Sequence, residues 1–472
     1  MALTGIENGL TVGLETFIET ARSVWPAGAA APQVLTRAPG RLDFMGGMAD
    51  FSGALALQIP TDCAALVAVG LRDDQCVHVQ TIDFNSDGSP LAFEWPLALL
   101  YQPDGQIATP EAFAAHFDAC PWVRHIAGVC HSLLESGGIT HFAGGMTIVL
   151  KSDIPTQAGL ASSAAVQVAV AKALAALFEP ELSDQQLLTA CRIANTAIAG
   201  AVPGLVDHLT CLKGEADTLL QIRCQPDDIL GTVALPDGVR VVAVDSAVRL
   251  PIYHQRYADN RIASLLGKCI IDRLLLQSGE IGDPTGGYLA NIAPSEYVRR
   301  FRNELPVKIR GRDFFAQYGT PESLDVDIDP DRIYKVRSRT EHHIYENDRT
   351  HRFVDRLART RRTGERDALI EAGDLMYASH WSYGQRCGMG SIETDILVNC
   401  IRERGNAKGL FGAKATGAGC GGSVAVLMAD QPAAYQALAD ACSAYAEKTD
   451  KTATILQGSS PGAAAFGVRN PN

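Results

Sequence analysis

The sequence contains a short loop at residues 154–165 that reads IPTQAGLASSAA and leads into an alanine- and valine-rich helix. Pro155 and Gly159 favour a tight turn, and Ser162 and Ser163 stand where the helix should begin. Free backbone N–H groups and the helix dipole at such a point favour an anion, and a serine hydroxyl can reach a phosphate or Mg²⁺. Because no lysine follows the glycine, the loop is not a P-loop. A serine N-cap on a buried helix explains the segment equally well when the loop is considered alone.

A second glycine-rich segment lies upstream, at residues 38–53, and reads APGRLDFMGGMADFSG. Three charged side chains, Arg41, Asp43 and Asp50, interrupt this otherwise apolar stretch. A charge in such surroundings must be paired, bound to a ligand or exposed, since burying it unpaired is costly. Two interpretations stay open from the residues themselves, namely a ligand site and an Arg–Asp structural ion pair in a turn.

A third segment, residues 414–423, reads KATGAGCGGS and runs into an apolar strand. Its closely spaced glycines allow the backbone to approach a ligand or another loop. A single glycine cluster is weak evidence for a site. Three such segments in one chain are stronger evidence than one.

Length and composition describe a folded, acidic protein. The 472 residues, 47% hydrophobic and 20% charged, suffice for two or three packed domains. The net charge of −12 disfavours nonspecific binding to nucleic acid or anionic membranes. Twelve scattered cysteines without a CxxC pair indicate reduced thiols. No basic residue precedes Arg22, and Ser162, Gln167 and Lys172 interrupt the apolar stretch 159–178, so we expect a cytoplasmic protein without nucleic-acid or membrane partners.

The order of predicted elements indicates an α+β fold with two domains. Strand-like runs fill much of residues 34–150, and strands then mix with helices without regular βαβ alternation. The loop-rich stretch 225–238 favours a division into domains 1–230 and 231–472. The local predictions are a turn at 38–41, separate strands at 54–59 and 64–70, a helix at 184–199 capped by Ser183, and one helical stretch over 349–375.

The three loops, in this order, resemble those of the GHMP kinase superfamily. Residues 200–207, GAVPGLVD, are similar to the segment that carries the catalytic aspartate in its galactokinase branch. The segments that resemble the kinase half of plant L-arabinokinases are residues 40–50, 287–292, 344–347 and 458–462. The resemblance covers nearly the whole chain from about residue 34 onward. It implies a GHMP kinase fold with an N-terminal domain like ribosomal S5 domain 2 and a ferredoxin-like C-terminal domain.

The resemblance also implies an ATP- and Mg²⁺-dependent sugar 1-kinase with roles for individual residues. Asp207 would accept the proton of the anomeric hydroxyl or stabilise its alkoxide, while Arg41 faces Asp207 and neutralises the transferred phosphoryl group. Ser163 and Asn195 would be the ligands of Mg²⁺. The residues that would bind ATP are Gly159, Leu160, Ala161, Ser162, Ser163, Ala164, Gly417 and Gly419. The residues that would contact the sugar are Arg41, Asp43, Asp50, Gly204, Asp207 and Tyr257.

Departures from the family pattern bear on the substrate and the metal. Galactokinases usually carry Glu-His where this chain has Gly47 and Met48, so a carboxylate for a hexose C6 hydroxyl is missing. L-Arabinopyranose is galactose without C6, which agrees with L-arabinose as the acceptor. Asn195 stands where the family commonly has glutamate, and His208 replaces the usual glutamine beside the catalytic aspartate. The alternatives are a galactokinase, a uronic-acid kinase, or a catalytically silent sugar sensor, and the chain would be a monomer or homodimer.

Several histidines and their neighbours are more typical of structural positions than of a metal or catalytic site. One acidic residue and two histidines follow each other at Glu341, His342 and His343, and such a group could bind a metal. Because no metal-binding motif supplies further ligands, we expect these side chains either at the surface or in contact with the residues of a site rather than with a ligand. His380 and Ser382 lie in a segment that resembles the family's C-terminal domain, and we interpret them as structural.

Overall fold

The first half of the chain forms a seven-stranded sheet. The computed structural model describes residues 2–26, 29–82, 91–179, 181–201, 204–250, 253–279, 283, 285–320, 327–417 and 421–471. The strands are β1 (Val34–Met45), β2 (Leu55–Arg72), β3 (Cys76–Thr81), β4 (Ala92–Pro96), β5 (Gly145–Ser152), β6 (Thr218–Arg223) and β7 (Asp228–Ala234). Their order is β4-β3-β5-β2-β6-β7, with β1 paired to β2. Because β2 is 18 residues long, its first part pairs with β6 and its second part with β5.

Helices cover the first sheet. They are α1 (Ala2–Ser23), α2 (Pro110–Ala115), α3 (Arg124–Glu135), α4 (Ser162–Phe178), α5 (Asp184–Ile193) and α6 (Val206–Lys213). Helix α4 packs against β1 and β2 with a face of buried alanines, among them Ala165 and Ala169. Small side chains let a helix lie close to the sheet, and the Thr36 hydroxyl of β1 donates to the Ala169 carbonyl at 2.8 Å. The middle of α4 is thereby held beside β1.

The second half contains a four-stranded antiparallel sheet. Its strands are β8 (Val239–Arg249), β11 (Leu410–Ala415), β12 (Gly421–Ala429) and β13 (Thr454–Leu456), in the order β11-β12-β8-β13. A separate short pair consists of β9 (Ile309–Arg310) and β10 (Ile333–Tyr334). The helices of this half are α7 (Tyr253–Gln277), α8 (Pro294–Glu296), α9 (Gly311–Tyr318), α10 (Val336–Thr363), α11 (Arg366–Ser382), α12 (Ile392–Arg404), α13 (Pro432–Thr449) and α14 (Ala463–Phe466).

Three local predictions are wrong. The turn expected at 38–41 is part of continuous strand β1, whose register shifts between Pro39 and Arg41. Proline is compatible with a strand at such an irregularity. The two strands expected at 54–59 and 64–70 are the single strand β2. The stretch 349–375 is divided between α10 and α11, because Gly364 ends α10 in a left-handed conformation.

Helix α5 begins as predicted. Ser183 and Gln186 form a reciprocal capping box at its N-terminus. The helix ends at Ile193, and a π-helical turn, Ala194–Ile198, continues it. Turns of this kind are rare and frequently mark functional sites.

The passage from the first sheet to the second lies between Ala234 and Val239. The division expected at residue 230 falls inside β7, which pairs with β6. The end of the chain returns to the first half, where Arg469 and Leu35 exchange two backbone hydrogen bonds of 2.8 and 2.9 Å. No helix in the described ranges has both the length and the apolar character required to cross a bilayer.

Candidate active site

The loop before α4 has an unusual backbone. Gln157, Gly159 and Ala161 all have positive φ, at 55°, 75° and 59°. Left-handed residues at alternate positions turn successive N–H groups toward one concavity, and two non-glycine residues in this conformation store strain. Among the described side chains none caps the first turn of α4, so the serine N-cap interpretation is wrong. The loop and the helix start therefore offer backbone N–H groups to an anion.

The loop before α4 (residues 154–161), which we name the phosphate loop, contacts the third glycine segment (residues 414–423) through backbone atoms. The Ser423 N–H donates to the Ala158 carbonyl at 2.8 Å. A Cβ atom at Gly417 would lie 2.8 Å from the Gly159 carbonyl oxygen, and one at Gly422 would lie 2.5 Å from that of Ala158. These glycines are required for space, because any side chain would push the loops apart. Gly419, also expected at the ATP site, lies outside the described residues.

Arg41 joins the phosphate loop to Asp207. Its Nε and Nη2 donate to Asp207 Oδ1 and Oδ2 at 2.8 and 2.7 Å, and its Nη1 donates to the Gly159 carbonyl at 2.7 Å. Burial favours the neutral form of Asp207, but the charge and hydrogen bonds of Arg41 outweigh it and hold the pKa of Asp207 below its ordinary value. The carboxylate in the first turn of α6 is therefore ionised and paired at neutral pH.

Gln58 holds the same carboxylate and was not foreseen from the sequence. Its Nε2 donates to Asp207 Oδ1 at 3.3 Å, while its Oε1 accepts from the Thr210 hydroxyl at 2.8 Å. Gln58 is buried on β2 within the apolar run LALQIP. A lone amide in an apolar strand was the available signal, since a buried polar group requires partners.

A row of three hydrogen-bonded side chains, two histidines and one glutamine, begins at the residue that follows Asp207. His208 Nε2 lies 2.7 Å from Gln167 Oε1, and Gln167 Nε2 lies 3.2 Å from His125 Nδ1. Burial lowers the pKa of both His125 and His208 to about 4. Because these imidazoles stay uncharged at neutral pH, Arg41 is the cation that pairs with Asp207.

Asp43 belongs to a second buried charge cluster. Its backbone N–H and carbonyl both bond to the Thr416 hydroxyl, at 2.8 and 2.9 Å. Burial raises the pKa of Asp43 to about 6, against the opposing charges of Lys414 and Arg41. Within the described part of the chain, Asp43 Oδ1 and Lys414 Nζ have no hydrogen-bond partner. Tyr383 contacts the third glycine segment at two points, with its ring 4.8 Å from Lys414 Nζ and its hydroxyl 3.2 Å from the Gly417 carbonyl.

Glu346 anchors this cluster from helix α10. Its carboxylate accepts from Ser379 Oγ at 2.6 Å, Arg349 Nε at 2.8 Å and the Gly46 N–H at 3.3 Å. Burial opposes ionisation, but the charge of Arg349 prevails and lowers the pKa of Glu346 to about 2. The segment 344–347 was noted in the sequence without this role, because Ser379 and Gly46 lie on distant parts of the chain.

The two adjacent histidines of helix α10 differ in burial from one of the two expectations. His342 and His343 are buried, so the surface alternative for them is wrong. His342 Nε2 lies 3.2 Å from the Gly47 carbonyl, and its Nδ1 lies 2.9 Å from Ser382 Oγ. The imidazole therefore supports the first glycine segment from behind. No group of three His, Cys, Asp or Glu residues suited to a metal occurs in the described ranges.

Asp50 and Gly204 lie next to each other, and Tyr257 packs against Phe51, the neighbour of Asp50 in the chain. A Cβ atom at Gly204 would lie 3.3 Å from Asp50 Oδ2, so the absence of a side chain leaves room for that carboxylate. Burial and the nearby charge of Asp207 raise the pKa of Asp50 to about 7. Tyr257 belongs to an apolar cluster with Met48 and Tyr383. Asp50 and Gly204 thus border one region next to Asp207, and Tyr257 lies in the apolar cluster that includes Phe51.

Ser163 and Asn195 lie on the elements around the phosphate loop. Ser163 is half-buried in the first turn of α4. Asn195 is buried in the π-helical turn 194–198, which packs against α3 and α4. Its Oδ1 lacks a hydrogen-bond partner among the residues described. An unsatisfied carbonyl oxygen suits an oxygen-preferring cation such as Mg²⁺.

Comparisons with known proteins show which sequences and folds this chain is similar to. Residues 124–215 match the family profile "GHMP kinases N terminal domain", and residues 365–447 match "GHMP kinases C terminal". L-Arabinokinase of Arabidopsis thaliana is 31% identical over 485 residues, which cover 92% of this chain and 46% of that protein. The chain therefore spans about half the length of that relative. A galactokinase of Chloroflexus aggregans is 26% identical over 89% of this chain and 90% of its own.

A solved structure has the same fold. The Lactococcus lactis galactokinase, complexed with galactose, matches with a TM-score of 0.71 at 19% identity, over 97% of this chain and 99% of the other. The α+β architecture expected from the sequence is thereby confirmed, with an N-terminal and a C-terminal part of the known fold. Residues 124–215 and 365–447 are therefore the N-terminal and C-terminal domains typical of GHMP kinases.

Proposed function

We propose that this chain transfers the γ-phosphoryl group of ATP to the anomeric hydroxyl of L-arabinose or a closely related galacto-configured sugar. The observation that carries the proposal is the guanidinium of Arg41, which bonds at once to Asp207 and to the Gly159 carbonyl of the phosphate loop. An acceptor aligned by Asp207 would then stand next to a phosphoryl group held by the loop. Phosphoryl transfer depends mainly on such alignment and on charge stabilisation.

Asp207 and Arg41 divide the chemical work. Asp207 is ionised, because Arg41 holds its pKa low, so it can orient the anomeric hydroxyl and accept its proton. Arg41 faces the carboxylate on one side and the phosphate loop on the other, where its charge can offset that of the transferred group. Gln58 bonds to Asp207 and adds no charge of its own, and the neighbouring His208 is neutral as well.

ATP would be held by the backbone N–H groups of residues 159–164 and by the third loop. Mg²⁺ would be held by the Ser163 hydroxyl, the Asn195 carbonyl oxygen and phosphate oxygens. When bound, it neutralises phosphate charge during the transfer. The buried Asn195 oxygen without a partner in the described structure supports this assignment. A missing carboxylate at position 195 implies weaker metal binding than in relatives with glutamate.

The preference that we propose for L-arabinose over hexoses is based on the glycine at position 47. Glycine there supplies no carboxylate to bind a C6 hydroxyl, which favours a pentopyranose. A relative named L-arabinokinase, 31% identical, supports the same choice, while galactokinases at 26% identity support galactose as the alternative. A silent sensor is disfavoured, since Arg41 and Asp207 are both present and paired. Free thiols at the described cysteines fit a reducing compartment such as the cytoplasm.

Coupled ADP release over a panel of monosaccharides tests the proposal. L-Arabinose should be turned over fastest, ahead of D-galactose and D-galacturonate, and product analysis should locate the phosphate on C1. Asp207→Ala serves as the blank for ATP hydrolysis that is independent of sugar. A wild-type protein that binds ATP and sugars by calorimetry but turns over none of them would be a sensor, and the proposal would fail.

A further inference from the structure

The space around Gly47 is already filled by two other side chains. A Cβ atom at this position would overlap the Tyr383 hydroxyl and the Asp43 carboxylate. Gly47 is not among the glycines with positive φ, so its backbone conformation suits any residue. Space, rather than conformation, requires glycine here. Tyr383 and Asp43 therefore occupy the volume that a side chain at position 47 would need.

Tyr383 is held rigidly in this place. It is buried in the π-helical turn Tyr383–Cys387 that follows α11. Its hydroxyl donates to the Gly417 carbonyl at 3.2 Å, and its ring packs edge-on against His342 with 5.5 Å between ring centroids. Lys414 Nζ lies 4.8 Å from the ring centre. A tyrosine fixed on three sides can act as a wall, because it has no room to turn away.

The proposed acceptor region, bordered by Asp207, Asp50 and Gly204, adjoins the first glycine segment beyond Gly47. Besides burial, the charge of Asp207 raises the pKa of Asp50, which stands three residues further along the chain. The charge of Arg41 opposes the rise that burial causes in the pKa of Asp43. Tyr383 also contacts the apolar cluster of Met48 and Tyr257 beside that region. The hydroxyl of Tyr383 and the carboxylate of Asp43 thus close the acceptor region at the point where the first glycine segment borders it.

We propose that Tyr383 and Asp43 form a specificity wall that excludes a substituent on C5 of the sugar ring, so that the pocket admits an aldopentopyranose. The inference rests on the proposed sugar 1-kinase function and deepens it. Steric exclusion by these two side chains is a different effect from the absence of a carboxylate at position 47, since that absence only removes a hydrogen bond to the C6 hydroxyl. A wall opposes even a methyl group, because one additional methylene in a filled pocket lowers kcat/KM by about 10- to 200-fold.

Three sugars with the same ring configuration separate these two effects. L-Arabinose has hydrogen on the relevant carbon, 6-deoxy-D-galactose has a methyl group, and D-galactose has a hydroxymethyl group. With a wall, wild-type kcat/KM should fall by about tenfold or more from L-arabinose to the methyl sugar. If only an attraction were missing, the methyl sugar would react as well as L-arabinose, and the wall would be refuted.

Substitution of Tyr383 then tests which residue forms the wall. Tyr383→Ala should raise the ratio of kcat/KM for the methyl sugar to that for L-arabinose by about tenfold. Tyr445→Phe is the matched control, since Tyr445 is also buried and donates its hydroxyl to a backbone carbonyl, that of Ser246, at 2.8 Å. The control should leave the ratio unchanged. An unchanged ratio in Tyr383→Ala, with L-arabinose still turned over, would overturn the wall but not the kinase function.

A second pair of variants keeps the proposal testable if Tyr383→Ala does not fold. Gly47→Ala should lower the melting temperature and the kcat/KM for L-arabinose, because its methyl group meets the Tyr383 hydroxyl. In the Tyr383→Phe background, part of both losses should be recovered. Additive effects of Gly47→Ala and Tyr383→Phe would contradict the contact on which the wall depends. Absence of turnover on every sugar by the wild type would instead refute the kinase function itself.

Discussion

Arg41 and Asp207, which are 166 positions apart in the chain, form a two-pronged ion pair with N–O distances of 2.8 and 2.7 Å. The guanidinium is buried on β1, and the carboxylate is one-third exposed at the start of α6. A planar fork that bonds both carboxylate oxygens fixes direction as well as charge. The exposed face of Asp207 is left to meet a substrate, while Arg41 reaches the Gly159 carbonyl behind it.

Arg41→Lys should lower kcat by about 100-fold or more, because an ammonium group cannot bond both oxygens of Asp207 and the Gly159 carbonyl together. The measurement is steady-state ADP release with the preferred sugar. Arg72→Lys is the matched control, since Arg72 makes a similar forked pair with Asp74 at the surface. Comparable losses in both variants would mean that the effect is one of stability.

Asp207→Ala should abolish sugar phosphorylation while leaving ATP affinity largely unchanged, since the carboxylate faces the acceptor and not the phosphate loop. Turnover and calorimetric titration with ATP measure the two properties separately. Asp184→Ala provides the control, because Asp184 also stands in the first turn of a helix and pairs with a cation, Lys213. Substantial residual turnover in Asp207→Ala would remove Asp207 from the catalytic role.

Asp50→Asn should stabilise the protein increasingly as the pH rises from 5 to 8. Burial and the charge of Asp207 raise the pKa of Asp50 from 3.8 to about 7, so between these values the folded state holds a proton that the unfolded state has released. Wild-type stability therefore falls as the pH rises through this window, and the amide variant avoids that fall. The gain at pH 8 should be about 2 kcal/mol once the partial exposure of Asp50 is considered. Denaturant titrations of both proteins at pH 5 and pH 8 measure it, and a gain independent of pH would contradict the assignment.

Glu346→Ala should destabilise the protein by about 3–5 kcal/mol, because it leaves the buried Arg349 charge uncompensated. Chemical denaturation measures the free energy of unfolding. Glu371→Ala is the control on the same pair of helices, where Glu371 pairs with a more exposed Arg356. That variant should lose less than about 1 kcal/mol. Equal losses would show that Glu346 acts by helix packing rather than by its charge.

Asn195→Asp should lower the Mg²⁺ concentration required for half-maximal activity, since a carboxylate adds a charge to the carbonyl oxygen already proposed as a ligand. Asn195→Ala should raise it. Titration of activity with Mg²⁺ at saturating ATP measures both shifts. Asn399→Asp, at an exposed position of α12, should leave the requirement unchanged. Opposite or absent shifts at position 195 would exclude Asn195 as a ligand.

Much of the site was predictable because short motifs carry it. The loops around Gly159 and Gly417 meet as expected, and Asp207 faces Arg41 as the family resemblance implied. The turn expected at 38–41 was wrong because proline and glycine in sequence do not reveal the long strand β2 alongside them. Gln58 and Glu346 were missed as site residues for a related reason, since Asp207, Ser379 and Gly46, to which they bond, lie far away in the chain.

Local chain chemistry accounts for the phosphate loop and for the helix that it opens. Proline, glycine and alanine act within a few residues, so Pro155, Gly159 and the alanines of α4 specify a turn, left-handed backbone and close packing wherever the segment lies. Tertiary structure decided which charges are paired. Burial against β1 and the third loop removed the water that would otherwise solvate Arg41, Asp43 and Asp207, and only the packing of distant segments could supply their partners.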